Sequence, residues 1–68
     1  MKSIEEIAQE VYQKLGWKLD KKPMYAFYQN EFNDYKRQIK GATDEGAHGH
    51  ALFMVEFYCH HFRCPVRL

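Results

Sequence analysis

The sequence predicts a small all-α protein, a three-helix bundle that forms one domain over residues 1–68. Two segments repeat apolar side chains at the three- and four-residue spacing of an amphipathic helix, and a third segment is highly apolar nearly all round. No second strand-like segment accompanies the third, and a lone strand would leave its backbone hydrogen bonds unmade. We therefore expect three helices, with the third central in the bundle or at a dimer interface.

The first predicted helix begins at Ile4 and is terminated by Gly16. Ser3 and Glu6 have the spacing of a capping box, in which each residue satisfies a backbone donor of the other. Glycine just past a helix is a common terminator, because it adopts the left-handed conformation without steric cost. The apolar face of this helix consists of Ile4, Ile7, Ala8, Val11 and Leu15.

The second predicted helix is capped by Asp20 and terminated by Gly41. Pro23 falls in its first turn, where proline is tolerated because no backbone donor is required. Its apolar stripe follows a spacing of four, four, three and four residues, and charged residues occupy most of the remaining surface. The stripe consists of Met24, Tyr28, Phe32, Tyr35 and Ile39.

The third predicted helix runs from about Asp44 or Gly46 to Phe62, and it stops before Pro65 because proline disfavours helical geometry at the preceding residue. Small residues near its start predict a surface that another backbone can approach closely. Those small residues are Ala42, Gly46, Ala47, Gly49 and Ala51. Four residues spaced three, four and three apart are expected to enter the core, namely Leu52, Val55, Cys59 and Phe62.

Composition limits the classes of function that fit this chain. Ten basic and nine acidic side chains give a formal net charge of +1, so no global field draws the protein toward nucleic acid or an anionic membrane. No apolar stretch has the length of a membrane span, and the first residues do not resemble a secretory signal. We therefore expect a cytoplasmic protein that keeps its two cysteines reduced.

The aromatic content predicts a function in protein binding. Five Phe, five Tyr and one Trp are more than a 68-residue core can cover, so some aromatic side chains should form an exposed patch. We expect that patch to bind another protein or a second copy of the chain, as in a homodimer. Small accessory, inhibitory and phage-encoded proteins often work this way. The candidate binding residues are Tyr25, Phe27, Phe53, Phe57 and Tyr58.

An alternative function is nucleic-acid binding through two groups of basic residues, Lys14–Lys22 and Lys36–Lys40. Basic side chains interleaved with aromatic rings can bind phosphates and stack on bases. Acidic residues dilute both groups, however, and a solvated charged surface is the simpler explanation. The candidate residues are Lys14, Trp17, Lys18, Lys21, Lys22, Lys36, Arg37 and Lys40.

The last third of the chain concentrates the side chains that could bind metal or catalyse a reaction, because it holds all four histidines and both cysteines. Cys59, His60, His61 and Cys64 are suitable zinc ligands, but their spacing matches no zinc motif. We expect neither a metal nor a disulfide. A metal-stabilised protein that uses this cluster is the third functional alternative, with His60, His61 and Cys64 as the candidate ligands. Glu56 is expected to face solvent or to pair with His60. No nucleophile motif accompanies the histidines, so no catalytic residue, cofactor or enzymatic activity is predicted.

Overall fold

A computed structural model of the chain describes residues 2–16 and 18–62. In these residues it contains three α-helices and one short 3-10 helix, and no extended β-strand. The predicted all-α class and the three-helix bundle are therefore confirmed. The elements are α1 (Ile4–Leu15), α2 (Lys21–Gln38), α3 (Asp44–Phe57) and the 3-10 helix (Cys59–Phe62).

Helix α1 begins and ends as the sequence predicts. The Glu6 N–H donates to the Ser3 hydroxyl (3.3 Å), and the Ser3 N–H donates to the Glu6 carboxylate (3.4 Å). These two hydrogen bonds complete the capping box. At the other end Gly16 adopts a left-handed conformation with a φ of 75°, and its N–H donates to the Tyr12 carbonyl. The helix thus has both of its predicted boundaries.

Helix α2 differs from its prediction at both ends. It begins after Asp20, as expected, but the Asp20 side chain makes no capping hydrogen bond. It ends at Gln38 rather than continuing to Gly41, since Ile39 has an extended backbone with a φ of −104° and a ψ of 113°. Ile39 consequently leaves the predicted apolar stripe, and its side chain is 44% exposed. Gly41 lies in the turn that follows, with a φ of 80°.

Helix α3 begins at the predicted place but is shorter than predicted. The Gly46 N–H donates to the Thr43 hydroxyl (3.1 Å), which caps the helix ahead of Asp44. The predicted end at Phe62 is wrong, because the α-helix stops at Phe57.

The 3-10 helix after α3 explains why the predicted core residues are nevertheless buried. Tyr58 leaves α-helical geometry, with a φ of −105° and a ψ of 23°, and Cys59–Phe62 then form the tighter helix. Side chains three residues apart lie on the same side of a 3-10 helix. Cys59 and Phe62 therefore both reach the core, and each is 7% exposed.

The core lies where the three helices meet. Helix α2 packs most extensively against α3, and α1 makes smaller contacts with both. The four residues of the third segment that were predicted to be buried are all in the core, whereas Tyr35 is only partly buried against it. The buried side chains are Ile7, Val11, Leu19, Met24, Tyr28, Phe32, Ala47, Ala51, Leu52, Val55, Cys59 and Phe62.

The small residues of α3 have two different environments. Ala47 and Ala51 lie one turn apart and are fully buried. A Cβ added at Gly46 would lie 3.2 Å from the Tyr35 hydroxyl oxygen, so α2 occupies the space that a side chain would need. Part of the predicted close-approach surface is therefore covered by α2 of the same chain. Gly49 differs, because a Cβ added there would meet no atom within 4 Å.

Replacement of an N-cap residue should destabilise the protein most where its side chain accepts a hydrogen bond from a backbone N–H of the helix. Ser3→Ala and Thr43→Ala should each lower the free energy of unfolding by about 1 kcal/mol, because each hydroxyl accepts a hydrogen bond from a backbone N–H. Asp20→Ala is the matched control. It should cost clearly less, since only attraction between the carboxylate and the helix dipole is lost. Urea denaturation measures all three losses, and equal values would contradict this assignment of caps.

Candidate functional site

Three aromatic side chains form a contiguous exposed surface at the carboxyl end of α3. This aromatic patch consists of Phe53, Phe57 and Tyr58, which are 63%, 63% and 38% exposed. The Phe57 ring centroid lies 6.4 Å from that of Phe53 and 5.0 Å from that of Tyr58. Phe53 and Phe57 are neighbours on one helical face because they are four residues apart. Contiguous exposed apolar surface of this kind is typical of a contact site.

The other two predicted binding residues, Tyr25 and Phe27, are partly buried and pack against the core. The Tyr25 hydroxyl donates to the Lys2 carbonyl (2.7 Å), which fixes the ring between α1 and α2. The Phe27 ring lies 5.5 Å from the Tyr58 ring and 5.2 Å from the Phe62 ring, centroid to centroid. Phe27 therefore supports the aromatic patch from beneath, and Tyr25 lies apart from it.

Polar side chains border the aromatic patch. The Glu56 carboxylate pairs with the Lys14 ammonium of α1 (3.3 Å), so the expected pairing with His60 is not the one that forms. The α-helix ends before His60, and the four-residue spacing that would have brought the two side chains together is therefore lost. His60 and His61 are both exposed, and the His61 ring lies 5.8 Å from the Tyr58 ring.

A hydrogen-bond network that the sequence analysis missed joins all three helices. The Tyr28 hydroxyl oxygen lies 2.8 Å from His48 Nδ1, and His48 Nε2 lies 3.3 Å from Glu10 Oε1. The Lys2 ammonium donates to the other oxygen of Glu10 (3.0 Å). In a neutral imidazole the Tyr28 hydroxyl donates to Nδ1, and Nε2–H donates to the carboxylate. These four side chains, with Phe32, Asp44 and Glu45, line a cavity of about 400 Å³.

The network links a side chain of each helix to the next through His48. A carboxylate, an imidazole and a hydroxyl in series can make a hydroxyl reactive. Here, however, Tyr28 is fully buried, and that burial raises its pKa above the ordinary value of 10.0. The hydroxyl therefore keeps its proton at neutral pH. The one sequence signal for this role is that His48 extends the buried face of Leu52 and Val55 by a further turn.

His50 makes a second carboxylate–imidazole pair on the opposite side of α3. Its Nε2 lies 3.1 Å from Glu31 Oε1 of α2, and its ring stacks on that of Tyr35 at a centroid distance of 5.1 Å. The two histidines of α3 thus pair with different helices, since His48 pairs with Glu10 of α1. The two pairs therefore connect opposite sides of α3 to α1 and to α2.

Glu10 makes this network sensitive to acid. Burial is the largest single influence on the pKa of Glu10 and acts to raise it, but the hydrogen bonds and positive charges of Lys2 and His48 together outweigh burial. The pKa of Glu10 therefore lies below its ordinary value of 4.5. A carboxyl whose pKa is lowered by folding stabilises the protein above its unfolded-state pKa. That contribution is lost as the pH falls through the folded-state pKa.

Glu10→Gln should lower the melting temperature at neutral pH, and the difference from wild type should shrink as the pH falls below 4.5. Glutamine keeps the size of the side chain and can still accept a hydrogen bond from His48, so the difference reports the charge. Thermal unfolding followed by circular dichroism from neutral pH to pH about 3 measures it. Glu5→Gln on the same helix is the control, because it removes only an exposed ion pair with Lys21, whose loss should cost little at any pH. A difference that stays constant over this pH range would contradict the prediction.

The structure pairs half of the candidate nucleic-acid-binding residues with carboxylates. Each such pair neutralises a positive charge that would otherwise meet a phosphate. Lys18, Lys22 and Lys40 are exposed, and Trp17 lies outside the described residues. The four ion pairs are Lys14–Glu56, Lys21–Glu5, Lys36–Asp44 and Arg37–Asp34.

Among the described residues, the candidate metal ligands Cys59, His60 and His61 do not belong to a group that could hold a metal ion. Cys59 is a free, buried thiol, as predicted, whereas His60 and His61 are exposed. Cys64 lies outside the described residues. Over residues 2–16 and 18–62, no group of three His, Cys, Asp or Glu side chains could hold a metal ion. In the same part of the chain no helix combines the length and the apolarity needed to cross a membrane.

Comparison with known proteins finds no protein family, no curated protein and no solved structure that matches this chain. The function must therefore be argued from the aromatic patch and its surroundings.

Proposed function

We propose that this chain is a non-enzymatic accessory or inhibitory protein that binds another protein, or a second copy of itself, through the aromatic patch. The observation that carries the proposal is the 63% exposure of both Phe53 and Phe57. Full burial of one such side chain stabilises a protein or a complex by about 1.5–3 kcal/mol. A partner surface that buries both adjacent phenylalanines would therefore gain favourable binding free energy from the removal of their rings from water.

The support beneath the patch favours binding. Tyr58 rests on Phe27, and Phe27 in turn rests on the buried Phe62. Side chains that are already ordered lose little conformational entropy when a partner covers them. One side of α3 enters the core with Val55, and the opposite side carries the patch. On this proposal the third helix serves both the core and the interface, as expected from its apolar composition.

The same contacts weigh against catalysis by the hydrogen-bond network and against nucleic-acid binding. The Tyr28 side chain is buried and its hydroxyl is hydrogen-bonded to His48, which favours a structural role for the network. Among the described residues, the ion pairs leave Lys18, Lys22 and Lys40 as the cations without a carboxylate partner. A salt titration separates the alternatives, because binding to phosphates weakens steeply with salt whereas burial of aromatic side chains does not.

Site-specific photo-crosslinking tests the proposed function. A photoreactive phenylalanine analogue replaces Phe53 in the full chain, and the same analogue at Asn33, which is exposed on α2, is the control. We expect covalent adducts with protein, whether another protein or this chain, from position 53 and not from position 33. The proposal is wrong if position 53 gives no adduct, or if both positions give the same ones.

A further inference from the structure

We propose that the partner of the aromatic patch is a second copy of this chain, bound in a two-fold dimer in which α3 packs antiparallel against α3. This inference rests on the proposed function and names the occupant of the same surface. It depends on the shape of the exposed face of α3, on the hydrogen-bonding groups at its two ends and on the area of the patch.

The exposed face of α3 has one ridge with unequal ends. Gly49, Phe53 and Phe57 follow each other at intervals of four residues, and all three are exposed. Residues with this spacing form a ridge along a helix that can pack against a second helix. A Cβ added at Gly49 would meet no atom within 4 Å, so this end of the ridge is an open space. Phe57 projects at the other end, and Phe53 lies midway.

A two-fold axis at Phe53 makes this ridge complementary to itself. In an interface with two-fold symmetry, residue i contacts residue j and residue j contacts residue i. Antiparallel helices paired at Phe53 place Phe57 of each chain over Gly49 of the other, where no side chain stands in the way. Parallel helices would instead oppose the two Phe57 rings and leave both glycine sites empty.

The hydrogen-bonding groups at the ends of α3 also favour the antiparallel arrangement. Glu45 is exposed in the first turn, and His60 and His61 are exposed beyond the carboxyl end. Within the described part of the chain, no ion pair involves any of these three side chains. Antiparallel packing brings the carboxylate of one chain to the histidine end of the other, where an imidazole N–H can donate to it. Parallel packing would set two carboxylates together.

The area of the patch predicts a weak, reversible dimer. The exposed parts of Phe53, Phe57 and Tyr58 amount to roughly 300–400 Å² per chain, if each aromatic side chain offers about 200 Å². A stable interface buries about 800 Å² per partner. We therefore expect a dissociation constant on the order of 100 μM, so that monomer and dimer coexist at concentrations accessible to measurement.

An exchange of the large and the small residue tests the pairing by sedimentation equilibrium of the full chain. Gly49→Phe fills the space that Phe57 of the other chain would occupy, and Phe57→Ala removes the occupant. Each change should weaken dimerisation about tenfold. The double variant Gly49→Phe/Phe57→Ala restores one large and one small partner at each end. It should therefore bind within about threefold of wild type.

Asn33→Phe is the matched control, because it adds an exposed phenylalanine on α2 and should not weaken the dimer. Far-UV circular dichroism verifies that each variant folds, which the open space at Gly49 allows. Weakened single variants with a restored double variant would support the dimer. A Gly49→Phe variant that dimerises as tightly as wild type, or a double variant no tighter than the singles, would overturn it.

A wild-type chain that is monomeric at about 1 mM would also overturn the dimer, since its expected dissociation constant is about tenfold lower. The crosslinks from position 53 then decide the proposed function separately. Adducts with a different protein, absent from position 33, would retain the aromatic patch as a binding surface with another partner. The absence of any adduct would reject both proposals.

Discussion

Val55→Asp is expected to unfold the protein. Val55 is fully buried in the core. A carboxylate placed there has no partner, and burying an unpaired charge costs several kcal/mol. A single core in a chain of this size rarely supplies more than about 3–5 kcal/mol in total, so the change exceeds what the fold can absorb. Circular dichroism and a one-dimensional proton NMR spectrum would show the loss of helix and of fixed side-chain packing.

Phe53→Asp is the matched control for Val55→Asp. It places the same charge on the same helix two residues earlier, but Phe53 is 63% exposed. The carboxylate stays in water there, and substitutions at such surface sites usually change stability by less than about 0.5 kcal/mol. A Val55→Asp variant that melts close to the wild-type temperature would contradict the observed register of α3.

Tyr28→Ala is expected to cost about 3–5 kcal/mol, because it empties the largest fully buried side-chain site in the described residues. Tyr28→Phe separates the ring from the hydroxyl. It keeps the packing but leaves His48 Nδ1 without its donor, and should cost about 1–2 kcal/mol. Circular dichroism should therefore show Tyr28→Ala largely unfolded, and urea denaturation at neutral pH measures the smaller loss of Tyr28→Phe.

Tyr12→Phe controls for removal of a tyrosine hydroxyl at an exposed site, since Tyr12 is 45% exposed on α1. It should be nearly neutral. A double-mutant cycle between Tyr28→Phe and His48→Ala then measures the coupling of the hydroxyl to the imidazole. If Tyr28→Phe costs no more than Tyr12→Phe, or if the two changes are additive, the hydrogen bond between Tyr28 and His48 contributes nothing to stability.

The candidate site was only partly predictable from the sequence. The excess of aromatic residues predicted an exposed patch, and Phe53, Phe57 and Tyr58 form one. Composition does not say which rings neighbouring helices will cover, however, and the structure places Tyr25 and Phe27 against the core. The two histidine–glutamate pairs were not predicted, since their members are 38 and 19 residues apart in the chain.

The sequence by itself determined the features that depend on local interactions. The Ser3–Glu6 capping box, the turn at Gly16 and the start of α3 at Asp44 each involve residues within a few positions of one another. The buried face of the third segment also followed from its spacing, because periodicity identifies the apolar side of a helix even where the helix changes type. The capping hydrogen bonds and the glycine turn form between residues that are close in the chain, so they do not depend on how the helices pack.

Only the tertiary structure decided where α3 ends, which side chain pairs with Glu56 and how His48 is satisfied. The chain changes to a 3-10 helix at Cys59, which directs both Cys59 and Phe62 into the core. That change removes His60 from the reach of Glu56, and Lys14 of α1 takes its place. Burial and pairing of this kind depend on which helices approach each other. Local sequence patterns do not determine that approach, because it results from the packing of all three helices at once.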